Sequence, residues 1–255
     1  MLDYILQAQN LLTQISTEEE TIDRASTLMA QAIRGGHWVN LFGSGHSVIP
    51  VMDVFPRYGS FVGFRPLLDP RLMWHTPSGP GGAPELLWLE RQPGYIEQFL
   101  EDFIFEDGEV FVVYSHGGLN AAPVEAALFA KQRHMPVIAV TSLANRRIAT
   151  PTHPSGQALA DIADIVIDNH VPPEDALIAL HGQPYKVGAG STLAVVAITM
   201  TLLVETAKKL NATGSLPPTF VSPNVTEVPQ THNGEVYRAY RQWRTQAVAR
   251  TLSSQ

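Results

Sequence analysis

Between Gly43 and Ser47 the chain reads Gly-Ser-Gly-His-Ser, which places two hydroxyls and an imidazole among glycines at the end of an apolar run. Residues of these types suit the binding of an anion, above all a phosphate. Glycine lets main-chain amides approach a ligand closely, the hydroxyls of Ser44 and Ser47 add donors, and a following helix turns its positive end toward negative charge. His46 adds a group that can donate or accept a proton near neutral pH. The stretch lacks the Lys-Ser/Thr ending of a P-loop and the further glycine of a dinucleotide fingerprint.

A second turn of similar type follows Val112-Val113-Tyr114, as Ser115-His116-Gly117-Gly118-Leu119-Asn120, with Pro123 near the start of the next helix. Thr141 and Ser142 end a third apolar run, and Gly190-Ser191-Thr192 opens a long apolar helix whose first hydroxyls either cap it or complete an anion pocket. Carboxylates able to work as acid or base beside these turns are Asp53, Glu85, Glu90, Glu125, Glu174 and Glu205. Asp53 lies about two helical turns beyond His46, and Glu90 follows a Pro/Gly-rich stretch that can close over a ligand. His153, within Thr-His-Pro-Ser, reads as a loop residue. The nine histidines show no HExxH or H-x-x-x-H spacing, so no metal site is expected.

The elements that must carry these residues follow from periodicity. Leu2, Ile5, Leu6, Gln9 and Leu12, then Ile22, Ala25, Leu28, Met29 and Ala32, fall at helical spacing and predict two helices ending before Gly35-Gly36. Apolar runs of strand length follow at Trp38–Phe42, Phe61–Phe64, Glu109–Tyr114, Val137–Thr141 and Ile165–Asp168. Helical patterns separate several of them, notably Ala122–Gln132 and Gln157–Ala163. Strands apolar along their whole length, alternating with helices, predict an α/β fold with a parallel sheet covered on both faces and ligands at its carboxyl edge. Residues 66–94 are read as a long Pro/Gly-rich connection, either a functional lid or disordered, and residues 217–228 as an extended tail leading to a helix over Val236–Leu252.

The chain has 255 residues, 45% of them hydrophobic and 16% charged, enough for one large α/β domain. A single domain over 1–255 is expected, with N-terminal helices 1–34, an α/β core 37–212 and a C-terminal extension 213–255. A net charge of −7 without a basic cluster argues against a nucleic-acid partner. The absence of cysteine excludes disulfides and fits a cytoplasmic setting. The N-terminal residues do not resemble a signal peptide, and Leu193–Val204 is too short to span a bilayer, so no membrane partner is expected.

In combination these stretches resemble the sugar isomerase (SIS) domain family, and within it the bacterial phosphosugar and phosphoheptose isomerases. The matching segments are Leu41–Ser47, Phe55 with Arg57, and Leu89-Glu90-Arg91 with Gly94-Tyr95. Further matches are Asn120–Glu125, Val137–Leu143, Ala163–Asn169, Lys186-Val187-Gly188 and Pro217–Ser222. The resemblance implies a three-layer α/β/α sandwich around a five-stranded parallel sheet, a homodimer or homotetramer, and a sugar phosphate held at the strand ends without a cofactor. It also implies aldose–ketose isomerisation through an enediol. Glu90 is then the leading base and Asp53 the second, with His46 or His181 serving the sugar oxygens. The phosphate is expected on Gly43, Ser44, Gly45, His46, Ser47, Ser115, His116, Gly117, Gly118, Asn120, Thr141, Ser142, Ser191 and Thr192. The chain departs from the family pattern in three places. Gly117 and Asn120 replace two hydroxyls of the usual second turn. Asp53 and Arg57 stand where phosphoheptose isomerases have His and Glu, and Met52-Asp53 where the closer group has two adjacent acids. A sugar-phosphate sensor without catalysis and an amino-sugar-phosphate lyase or deaminase stay open as alternatives.

Overall fold

A computed structural model describes residues 2–253. Five parallel strands, β1 (Val39–Gly43), β2 (Phe64–Leu67), β3 (Val110–Tyr114), β4 (Val137–Thr141) and β5 (Ile165–Asp168), lie in the order β2-β1-β3-β4-β5. Alternation along each strand divides the core in two. Leu41, Val112, Tyr114, Val140 and Ile167 face one layer, and Phe42, Phe111, Val113, Val137 and Ala139 face the other.

The first layer is built by α1 (Asp3–Ile15), α2 (Glu19–Arg34), α3 (Val48–Val54), α9 (Ser191–Ala212) and α10 (His232–Ser253). On α2, Ile22, Ala25, Met29 and Ile33 recur at three- and four-residue steps and are buried. Burying each large apolar side chain of this stripe contributes about 1.5–3 kcal/mol. The second layer is built by α4 (Ala83–Leu89), α5 (Tyr95–Glu101), α6 (Ala121–Gln132) and α8 (Leu159–Ile162), while α7 (Leu143–Ile148) follows β4. The chain is thus the three-layer sandwich the sequence predicts.

The helix after β1 packs on one face of the sheet and the helix after β3 on the other, so a crevice opens between these neighbouring strands at their carboxyl ends. Gly43 pairs with Tyr114, and the two turns therefore leave the sheet side by side.

Three elements differ from expectation. The second strand begins where it was expected to end. Gly63 holds a φ of +134°, which breaks the extended run, and Phe61 pairs with Thr219 instead. Pro66 is accommodated because β2 is an edge strand. The helix read over Gln157–Ala163 is only the short α8, because the Asp161 carboxylate accepts the Ala158 amide and closes its first turn. The presumed lid is largely ordered: it carries Leu72, Leu86 and α4 into the second core.

Candidate functional site

Gly43 admits no other residue. A Cβ there would stand 2.1 Å from the Ser47 carbonyl oxygen, so the first turn folds back directly onto the strand end. Gly45 has a φ of +58°, and a short helical turn over Gly45–Ser47 leads into α3. With only seven residues α3 has little dipole to offer, so an anion held here depends on the turn itself. In the second turn, Gly118 (φ +64°) donates its amide to Ser115 Oγ at 3.1 Å. The amides of His116 and Gly117 donate to no acceptor among the described residues.

The two turns share one carboxylate. Ser44 Oγ donates to Glu90 Oε2 at 2.9 Å and Asn120 Nδ2 donates to Glu90 Oε1 at 2.6 Å. The Ala122 amide also donates to the Glu90 carbonyl at 2.9 Å. Glu90 follows directly on α4 and is 7% exposed. Burial raises its pKa, and the hydrogen bonds from Ser44 and Asn120 and the charge of Arg91 offset part of that rise. One step further from the chemistry, the Glu125 carboxylate accepts the Gly94 amide at 2.6 Å and pins the turn that carries Glu90 and Arg91.

Beside the clamp, His46, Ser47, Ser115, His116, Asn169 and Thr192 line a narrow cleft of about 10 Å³, room for about one water. His46 packs edge-on against Trp74 of the 66–94 segment, ring centres 4.4 Å apart. A cavity of about 950 Å³ lies elsewhere, between α1, α2 and α9. Glu19, Glu20, Asp23 and Glu205 line it, which repels a phosphate.

Several residues expected to bind are already engaged. Thr141 Oγ1 donates to the His116 carbonyl, while Ser142 Oγ donates to the Val171 carbonyl and accepts the Asn145 amide as the cap of α7. The start of α9 is occupied by Asp175, whose carboxylate accepts Gly190 N, Ser191 N and Ser191 Oγ at 3.1, 2.8 and 2.6 Å. Ser191 thus serves its own helix, and of that pair only Thr192 brings to the cleft a hydroxyl with no partner among the described residues. Asp53 is ion-paired with Arg57, four residues on and beyond the end of α3, and His181 is exposed in a surface turn. Neither is brought to Glu90. Of the remaining carboxylates, Glu85 accepts the Gly81 amide, while Glu174 and Glu205 pair with Lys186 and Lys208. Sequence reasoning passed over Asp175 and Asn169. Asn169 was legible as the polar residue ending an apolar strand, whereas the reach of Asp175 across fifteen residues has no local signature. Among the described residues no group of three or more His, Cys, Asp or Glu is placed to hold a metal ion, and no helix is long and apolar enough to cross a membrane.

A family model described as "SIS domain" matches residues 3–142. A UPF0309 protein of Halalkalibacterium halodurans is 33% identical over 211 residues, covering 83% of this chain and 82% of that protein. A UPF0309 protein of Caldanaerobacter subterraneus is 32% identical over 246 residues, covering 94% and 98%. Among solved structures, a phosphoheptose isomerase from Francisella tularensis superposes with a TM-score of 0.52 at 15% identity, covering 80% of this chain and 95% of that one. The phosphoheptose isomerase of Neisseria gonorrhoeae gives 0.50 at 15% identity, covering 83% and 95%. At such identities these two show a shared fold.

Proposed function

Because the chain belongs to the SIS domain family, we propose that it binds a sugar phosphate between the Gly43–Ser47 and Ser115–Asn120 turns and isomerises it through an enediol. One observation carries this reading: the buried Glu90 carboxylate bridges both turns at the carboxyl edge of β1 and β3. A carboxylate raised by burial is a stronger base than a solvated one, and each of its oxygens keeps a lone pair beyond the hydrogen bond it accepts. Glu90 takes the proton from the carbon beside the sugar carbonyl, and the electron pair moves onto the carbonyl oxygen. It then protonates the former carbonyl carbon with a proton exchangeable with solvent, while the hydroxyl proton on the first carbon passes to the former carbonyl oxygen, so no oxidant or reductant is needed. The His116 and Gly117 amides and the His46 imidazole are the donors available to the phosphate and to the oxygen where charge develops. The reaction runs in the cytoplasm on a homodimer or homotetramer without a cofactor.

The engaged hydroxyls of Thr141, Ser142 and Ser191 favour a second reading, a sensor that binds the same ligand without turning it over. Incubation of the protein with a panel of aldose and ketose phosphates in heavy water separates the two. Deuterium at the carbon beside the carbonyl, lost in Glu90→Gln, is the expected result. Binding by calorimetry without exchange leaves the sensor, and no binding of any sugar phosphate rejects both.

A further inference from the structure

The groove of about 950 Å³ between α1, α2 and α9 takes no part in the isomerisation. Leu12 and Ile15 line it beside Glu19, Glu20, Asp23 and Glu205. Asp23 and Glu205 pair with Lys209 and Lys208 of α9, whereas Glu19 and Glu20 are exposed and face no cation among the described residues. Carboxylates gathered in one groove repel one another, so it suits a cationic occupant with an apolar flank.

The same chain carries such a surface on α10. Val236, Tyr240, Trp243 and Ala247 of this helix turn inward, and its opposite face leaves Arg238, Arg241 and Arg244 exposed. Spaced three apart, the arginines share about a third of the helix circumference. Tyr237 and Leu252 are exposed on the same helix. Arg238 lies 3.6 Å from Glu235 of its own helix, while Arg241 and Arg244 pair with no carboxylate among the described residues. Like charges one turn apart weaken a helix, and an acidic partner relieves them.

Within one chain the two faces stay apart. Helix α9 packs against α1, α2 and α3, and Phe55 at the end of α3 stacks on Tyr240 of α10 at 4.8 Å. Groove and basic face thus belong to one layer, and the helices that connect them expose Ile49 and Met52 of α3 and Val204 of α9. A two-fold axis over these apolar residues uses the charged contact twice, since each copy offers both a groove and a helix.

We propose that the acidic groove receives the basic face of α10 from a second copy of this chain. The oligomer is taken from the sugar-phosphate reading, but the pairing names its surface and is independent of the chemistry.

Sedimentation velocity on the full chain tests it with two charge reversals, Glu19→Arg with Glu20→Arg, and Arg241→Glu with Arg244→Glu. Each variant alone sets like charges against each other across the interface. Each is therefore expected to keep the parent's circular dichroism spectrum and to dissociate along this face at least about tenfold more readily than the parent, at about 0.1 M salt. Arg241→Gln with Arg244→Gln, which adds no repulsion, is expected to weaken the assembly less. An equimolar mixture of the two reversals is expected to recover the parent's mass, because both contacts of the mixed dimer are then matched. A parent oligomer that neither reversal disturbs, or a mixture that stays dissociated, overturns the pairing. So does binding of spermine in the groove or of heparin on α10 by a parent whose oligomer survives both reversals. A parent that sediments as a monomer overturns the pairing and the expected oligomer together, and leaves the sugar-phosphate chemistry to its own test.

Discussion

Asn120 donates its amide to the Glu90 carboxylate at 2.6 Å, so the residue that replaces a hydroxyl in the second turn is also the one that orients the base. Asn120→Ala removes this bond and leaves Ser44 alone on the carboxylate. Isomerase turnover is expected to fall about 10–100-fold, with the circular dichroism spectrum unchanged, because a misplaced base loses much of its advantage. Glu90→Gln is expected to lose at least 100-fold. If Asn120→Ala turns over at the parent rate, the bond does not orient the base.

The same carboxylate sets a pH dependence. Burial raises the Glu90 pKa, and the base works only when ionised. The rate is therefore expected to fall on the acid side through a midpoint above the ordinary carboxylate value. In Asn120→Ala the midpoint moves higher still, since a hydrogen bond that favours the ionised form is gone. A pH–rate profile of kcat/KM for both proteins checks this, and a midpoint that moves downward in the variant rejects the assignment.

Gly43→Ala forces a methyl to within 2.1 Å of the Ser47 carbonyl, a backbone atom that moves only if the first turn refolds. Destabilisation of about 1–3 kcal/mol and loss of phosphate binding are expected together. Thermal unfolding with and without inorganic phosphate reads both. A variant that retains the phosphate-induced rise in Tm places the ligand elsewhere.

The sheet was legible because four of its five strands are apolar runs flanked by glycine or polar punctuation, and burial on both faces leaves such runs little choice. The second strand was misplaced because Gly63 needs a positive φ, while Pro66 reads as a breaker until the strand is known to lie at an edge. Site residues divide the same way. Ser44, Ser115 and Glu90 were visible as types near glycine turns. That Glu90 bridges the turns, or that Asp175 fills the start of α9, depends on contacts across 46 and 15 positions that no local pattern encodes. Asp53 misled for the converse reason. Its spacing from His46 is right, but α3 ends at Val54 and the chain beyond it brings Arg57 back to pair with Asp53.

Asp175→Ala leaves two amides and a hydroxyl at the start of α9 without an acceptor. A loss of about 0.5–2 kcal/mol is expected from urea unfolding. Asp175→Asn is expected to recover part of it, since the amide oxygen still accepts. The vacated donors are also expected to bind sulfate or phosphate, so these anions raise the Tm of Asp175→Ala by more than they raise that of the parent. Equal rises show that the start of α9 does not become an anion site.

At the opposite end of the sheet, Asn40 of β1, Arg65 of β2 and Glu109 before β3 form a buried polar cluster. Glu109 Oε2 accepts Arg65 and Asn40 at 2.7 and 2.8 Å, while Oε1 is buried without a partner. Burial outweighs the Arg65 charge and pushes this carboxyl from 4.5 up to about 7. The folded state therefore holds the proton more tightly than the unfolded chain between these two values. Stability is greatest below about pH 4.5, declines as the pH rises toward 7, and is level above that. At about 1.4 kcal/mol per pH unit the decline reaches at most about 3.4 kcal/mol. Glu109→Gln removes the titrating group and keeps the shape. The loss of stability between pH 5 and 7.5, read from urea unfolding, is expected to be larger in the parent than in the variant, and equal losses would assign the titration to another group.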